Sequence, residues 1–253
     1  MAHEKIADYT AILLAAGFGS RIAGTTDEPK CLLPLGGLTL LERHFHVWRE
    51  LGLKKVNLVV GFKADAVREV AERYRDFFEI KYQLNKNFRE QGNTYSLLLG
   101  LEQADGASLI FDADLVYEQI ILKKFLDDPG ADQILIGESD LGDIECAKAL
   151  VDKNNFVRKT VDKRAVTAEE LRQYGFAGEA IGIIKLSKNT TRQLTSAAKV
   201  FLSKTENIPL NWEHLMNDFL PNHEVTVHKT MQGKWIEIDT TEDYVEAESL
   251  FRR

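Results

Sequence analysis

The chain has 253 residues, a net charge of −7, 44% apolar residues and 28% charged ones. That balance suits a single folded α/β unit whose core is large enough to need no staples, and its acidity excludes a general nucleic-acid binder, which needs a basic surface. Cys31 and Cys146 stand far apart in no metal-ligand spacing, which argues against a disulfide scaffold or zinc site and fits a reducing cytoplasm. Met1–Asp8 is short and charged, with no long apolar stretch behind it, so neither a signal peptide nor a membrane span is expected.

Short apolar runs alternate with amphipathic stretches through the first half. Tyr9–Ala15 reads as a buried strand and Leu38–Leu51 as a helix with Leu40, Leu41, His44, Val47, Trp48 and Leu51 along one face. Val56–Val60 follows as a strand, Lys63–Tyr74 as a helix, Phe78–Leu84 as a strand, Thr94–Ala104 as a helix and Ser108–Phe111 as a strand. This βαβα rhythm predicts a Rossmann-like, mostly parallel sheet with helices on both faces. Tyr117–Asp127 reads as a further helix.

After about Asp128 the rhythm changes. Gln133–Gly137, Ala147–Val151, Phe156–Val161 and Ala180–Leu186 read as strands, with a turn at Asp152–Asn155. Helices are expected over Lys188–Ser203 and Trp212–Leu220, then a strand over Glu224–His228. The chain closes with Trp235–Asp239 and a helix over Thr241–Leu250, for which Thr241 is the expected N-cap. The expectation is one domain over 1–253, with an NTP-binding half to about residue 130 and a small acceptor-binding half over 131–253.

The first strand runs into Leu14-Ala15-Ala16-Gly17-Phe18-Gly19-Ser20-Arg21. Glycines there let backbone N–H groups approach a polyphosphate. A dinucleotide fingerprint would need a third glycine where Ile22 stands, and no Gly-Lys-Ser/Thr closes a P-loop. Arg21 and Lys30 can fold back onto phosphates held at this loop, the Arg as a fork and the Lys as a point charge. Nucleotidyl transfer needs such cations, because charge builds on the α-phosphate and on the departing pyrophosphate.

This opening, followed by Pro29-Lys30 and Leu33-Pro34-Leu35-Gly36-Gly37, resembles that of the nucleotidyltransferases that activate sugar 1-phosphates and phosphocholine. The resemblance implies the nucleotide-diphospho-sugar transferase fold. It implies that Leu14, Ala15, Ala16, Gly17, Gly19 and Ser20 hold the nucleotide and that Arg21 and Lys30 stabilise the transfer.

Asp112-Ala113-Asp114 ends a predicted strand, at the sheet edge where such folds bind ligands. Mg2+ takes one or two protein carboxylates plus phosphate oxygens and waters. Asp114 matches the family's metal-binding aspartate and Asp239, in Trp235-Ile-Glu-Ile-Asp239, its late partner. Asp112 is expected beside the nucleotide. No histidine or cysteine is assigned to chemistry, since the acceptor's phosphoryl oxygen is already an anion and a general base has little to remove.

Between a strand and a helix, Leu84-Asn85 to Ser96 carries polar groups suited to a pyrimidine edge: Asn85, Asn93 and Ser96. This stretch, Asp112-Ala-Asp114-Leu-Val and Asn211-Trp-Glu together look more like the phosphocholine cytidylyltransferase subgroup than the sugar subgroup, which implies CTP as donor. Choline's quaternary ammonium wants aromatic faces, and near Glu145-Cys146-Ala147 this chain has none where the phosphocholine enzymes carry one. A primary ammonium prefers carboxylates and carbonyls. Glu179 is the candidate for that group and Lys163 for the acceptor's phosphoryl group.

The expected partners are therefore CTP and a small phospho- or phosphono-amine, 2-aminoethylphosphonate ahead of phosphocholine or phosphoethanolamine, with no nucleic acid and no membrane; a homodimer stays open. The alternatives are a sugar-1-phosphate nucleotidylyltransferase using UTP, dTTP or GTP, and a non-catalytic nucleotide-sensing module.

Overall fold

The computed structural model describes residues 5–19 and 28–252. Strands β1 (Thr10–Ala15), β2 (Pro34–Leu35) and β3 (Leu38–Thr39) precede helix α1 (Leu40–Leu51). Then come β4 (Lys55–Val60), α2 (Ala64–Glu72), β5 (Glu79–Leu84), α3 (Asn93–Leu101), β6 (Ser108–Asp112), β7 (Leu115–Tyr117) and α4 (Gln119–Asp127). The second half holds β8 (Gln133–Gly137), β9 (Lys148–Val151), β10 (Val157–Val161), α5 (Ala168–Gln173), β11 (Gly175–Leu186), α6 (Lys188–Leu202) and α7 (Trp212–Phe219). It ends with β12 (Thr226–Lys229), β13 (Trp235–Glu237) and α8 (Thr241–Leu250).

One nine-stranded sheet runs in the order β10-β9-β11-β6-β1-β4-β5, with β8 paired to β11 and β12 to β8. Its first half is parallel: β1 pairs in parallel with β4 and β6, and β4 with β5. β11 reverses the direction, lying antiparallel to β6, β8 and β9. The parallel half is buried on both faces, which is why β1 reads as an unbroken apolar run. Ala11, Leu13 and Ala15 face one core with Phe45 and Trp48 of α1 and Phe125 of α4. Ile12 faces the other, with Leu97 of α3, Leu194 of α6 and Trp212 of α7. A third, smaller core under α8 packs Leu33, Leu35, Leu40, Val116 and Ile238.

Three sequence expectations shift. β11 begins at Gly175, five residues before the expected start, because it bends at irregular registers to pair with β9 as well as β6 and β8. The N-cap of α8 is Thr240, not Thr241: its hydroxyl accepts from Asp243 N while the Asp243 carboxylate accepts from Thr240 N, a reciprocal capping box. Leu38–Thr39 is strand rather than helix, and Thr39 caps α1 in the same way. Among the described residues no helix is long and apolar enough to cross a membrane.

Candidate active site

β1, β4 and β6 are parallel, so their C-terminal ends open on one edge of the sheet. β1 delivers Ala16, Gly17 and Gly19 there. Gly19 has φ 66, a left-handed turn that glycine adopts without steric cost. Leu14, Ala15, Gly17 and Gly19 line a cleft of about 120 Å³ with Lys30 and Asp114 opposite. Ser20 and Arg21 lie outside the described residues.

β6 delivers the carboxylates. Asp112 ends the strand, with its Oδ2 against Gly182 of β11, where a Cβ would come within 2.8 Å. Burial, then the charge of Asp114, pushes the Asp112 carboxyl well above its ordinary range. Asp114 sits in the turn after β6. β7 then pairs antiparallel with β13, Leu115 facing Glu237, and Ile238 N donates to the Asp114 carbonyl at 3.1 Å. This two-stranded ladder carries the late carboxylates to the first: Asp114, Glu237 and Asp239 each offer an oxygen within 4.8 Å of the others. The capping box of α8 fixes Asp239 from behind, its backbone N donating to Asp243 at 2.9 Å.

Lys30, in the short turn after Pro29, completes the cluster. Its ammonium lies 2.8 Å from Asp114 Oδ2 and 2.7 Å from Asp239 Oδ1. Burial alone would lower its pKa, but the two carboxylates outweigh burial and hold it raised. Lys163 Nζ stands 3.5 Å from Asp239 Oδ2. Its φ of 43 is unusual for a side-chain-bearing residue, a form of backbone strain concentrated at functional positions. Asp114 Oδ1 is buried and has no partner among the described residues. A hard divalent cation would satisfy it: carboxylate oxygens suit Mg2+, which takes one or two of them beside phosphate oxygens and waters.

Glu237 was missed in the sequence, yet alternation could have found it: in an extended strand, residues two apart share a face, so Glu237 and Asp239 point together. Desolvation against the protein side, then Asp114 and Asp239, raises the Glu237 carboxyl to about 8, although the residue keeps an open side to solvent.

The base-reading candidates have protein partners. Asn85 donates to Ser96 Oγ at 3.1 Å and accepts from Asn87 N at 3.0 Å. Asn93 Oδ1 accepts from Trp212 N at 2.8 Å, which ties the first residue of α3 to the first residue of α7. The loop before α3 meets the glycine loop, since the Arg89 guanidinium lies 4.8 Å from the Phe18 ring centroid. Glu179 is placed in β11 with Asp143, Cys146 and Lys148 as its charged and thiol neighbours, and none of Lys30, Asp114, Lys163 or Asp239 is among them. Desolvation raises its carboxyl to about 7. Both cysteines are buried and free. Burial pushes the Cys31 thiol up to about 12, which suits a structural thiol and not a nucleophile.

A phosphate-approach loop beside a lysine and converging carboxylates, at the C-terminal edge of a parallel sheet, is the layout of a nucleotidyltransferase. Residues 11–147 match the MobA-like NTP transferase domain, and the chain belongs to that family. It is 31% identical over 125 residues to the CMP-5'-(3-aminopropyl)phosphonate synthase of Streptomyces rubellomurinus, covering 49% of this chain and 20% of that one. It is 22% identical over 259 residues to the choline-phosphate cytidylyltransferase of Streptococcus pneumoniae, covering 96% and 98%. The chain thus spans a fifth of the first relative and nearly all of the second. In fold it is similar to the inositol-1-phosphate CTP transferase from T. maritima, with a TM-score of 0.75, 23% identity and 96% of each chain covered.

Proposed function

We propose that the protein transfers CMP from CTP to a small phospho- or phosphono-amine, 2-aminoethylphosphonate ahead of phosphocholine, and releases pyrophosphate. The observation that carries the transfer is Lys30, held between Asp114 and Asp239 on the cleft that the glycine loop lines. A module that only senses a nucleotide has no need of this arrangement.

CTP lies with its phosphates on Gly17 and Gly19, whose backbone approaches without side chains in the way. Asp114, Glu237 and Asp239 would hold Mg2+, which supplies charge stabilisation at the reacting phosphates. Lys163 receives the acceptor's phosphoryl group. An acceptor oxygen forms a bond to the α-phosphorus of CTP while the bond from that phosphorus to the bridging oxygen of the β-phosphate breaks. The electron pair leaves with pyrophosphate. Lys30 and Arg21 offset the charge that builds in this step. No proton needs to be removed from an acceptor that is already an anion.

The choice of CTP and of an amine is supported by the relatives, which are named for cytidylyl products of an aminopropylphosphonate and of choline phosphate. A primary amine ahead of choline is supported by the first of these relatives, named for an aminopropylphosphonate. Pyrophosphate release measured across CTP, UTP, GTP, ATP and dTTP, each with and without 2-aminoethylphosphonate, tests the reading. Release with CTP that depends on the acceptor supports it, and release only with another NTP and a sugar 1-phosphate overturns it.

A further inference from the structure

Helix α7 brings one more carboxylate to the acceptor side. Glu213 is its second residue, and the charges of Asp162 and Lys163 bear on it. It acts in turn on Asp112. Its Oε2 is buried and has no hydrogen-bond partner among the described residues. The neighbouring Trp212, 3% exposed, likewise leaves its indole Nε1 without a partner. Buried polar groups in folded proteins are almost always paired, so a carboxylate oxygen left without a partner beside Lys163 and Asp112 calls for a donor from outside the chain.

The placement of Glu213 is held firmly from two sides. Asn217, one turn further along α7, grips the backbone of Thr160 in β10: Thr160 N donates to its Oδ1 at 2.7 Å and its Nδ2 donates to Thr160 O at 3.0 Å. Thr160 Oγ1 donates to the Glu213 carbonyl at 3.0 Å. Lys163 follows two residues beyond the end of the same strand, and its charge bears on Glu213. From the other side, Asn93 Oδ1 accepts from Trp212 N and Thr94 Oγ1 donates to Leu210 O at 2.7 Å, anchoring the start of α7 to the nucleotide loop.

We propose that Glu213 binds the primary ammonium of the acceptor, the acceptor lying with its phosphoryl end on Lys163 and its amine on Glu213. The assignment rests on the cytidylyl-transfer reading above and names the group that selects the amine. An ammonium has three N–H donors to place when it leaves water, and the free Oε2 takes one of them. Two other acidic candidates stand elsewhere: Glu237 belongs to the cluster with Asp114 and Asp239, and Glu179 sits among Asp143, Cys146 and Lys148.

Glu213→Gln keeps the shape and removes the charge. With CTP saturating, pyrophosphate release is measured against 2-aminoethylphosphonate and against ethylphosphonate, which differs only by the missing amine. For the wild type the amine is preferred. In E213Q the KM for 2-aminoethylphosphonate is expected to rise about tenfold to a hundredfold, with kcat, the KM for CTP and the KM for ethylphosphonate little changed. Calorimetric binding of 2-aminoethylphosphonate to each protein should show the same loss. A wild type that prefers the amine, paired with an E213Q that loses nothing or loses equally on ethylphosphonate, overturns this assignment alone. A wild type that uses inositol 1-phosphate and neither phosphonate overturns it together with the acceptor reading.

Discussion

Lys30 bridges Asp114 and Asp239, at 2.8 and 2.7 Å, although 84 and 209 residues of chain separate it from them. The contact joins the glycine-loop end of the molecule to both carboxylate strands. It places a cation, before any ligand arrives, where a divalent ion and a polyphosphate would later balance the same charges.

Lys30→Ala should lower kcat and kcat/KM together by about 10²–10³, with a smaller effect on CTP binding, if Lys30 meets charge that develops only in the transfer. Steady-state kinetics with CTP varied at saturating acceptor separate the two. A change confined to the KM for CTP would make Lys30 a plain binding residue.

Asp114→Asn should leave the fold intact and reduce turnover by about a hundredfold or more, because the side chain keeps its shape but loses the charge a metal needs. The circular-dichroism melt should match the wild type within a few degrees. Titration of Mg2+ should show a weaker apparent affinity in the variant, and near-normal turnover would place the metal elsewhere.

Much of this site was legible in the sequence. The glycine loop, Lys30, Asp114 and Asp239 stand out because each follows a strand or a turn whose boundaries hydrophobic runs make plain. Glu237 did not stand out, and Glu213 stood only within the Asn211-Trp-Glu stretch, with no role of its own. Each is a charged residue in an amphipathic element, where a solvated face is the default; the β7–β13 ladder brings Glu237 to Asp114, and the α7–β10 grip sets Glu213 beside the end of β10. Asn93 was legible as a polar loop residue but not as a partner of Trp212, since a contact across 119 positions leaves no local trace. The parallel half of the sheet followed from its βαβα rhythm. The long, bent β11 did not, because Gly175, Gly178 and Gly182 interrupt the apolar pattern that marks a strand.

Asn93→Leu removes the acceptor for Trp212 N at the start of α7 and should cost about 1 kcal/mol of stability, as loss of a helix cap does. Asn93→Asp keeps an acceptor oxygen and adds a negative charge at a helix N-terminus, so it should restore most of the loss. Denaturant melts read the stability. If the link also positions α7, the KM for the acceptor should rise in the leucine variant and return in the aspartate one; identical melts for all three proteins would show that the bond carries no weight.

His44 gives the molecule a pH-dependent stability term. It is 1% exposed, and burial lowers its pKa to about 3. The Tyr117 hydroxyl accepts from Trp48 Nε1 at 3.1 Å and meets His44 Nδ1 at 3.2 Å. The folded state keeps the ring neutral while the unfolded chain takes up a proton below about pH 6.5. The unfolded state therefore binds more protons between those values, and stability falls as pH drops from about 6.5 toward 3, by up to ~1.4 kcal/mol per pH unit from this residue. His44→Phe should flatten that slope between pH 4 and 6 by about one proton. An unchanged slope would mean His44 is protonated in the folded protein.

If the Lys30–Asp114–Asp239 cluster serves transfer of CMP to an aminophosphonate, as proposed, kcat/KM for 2-aminoethylphosphonate and for phosphocholine at saturating CTP and Mg2+, read as pyrophosphate release, tests it. Turnover with both is expected, with a preference of about tenfold to a hundredfold for 2-aminoethylphosphonate, the discrimination that arises when a carboxylate site must pair or strand an ammonium's donors. Equal values, a preference for phosphocholine, or no CTP-dependent release with either acceptor would contradict it.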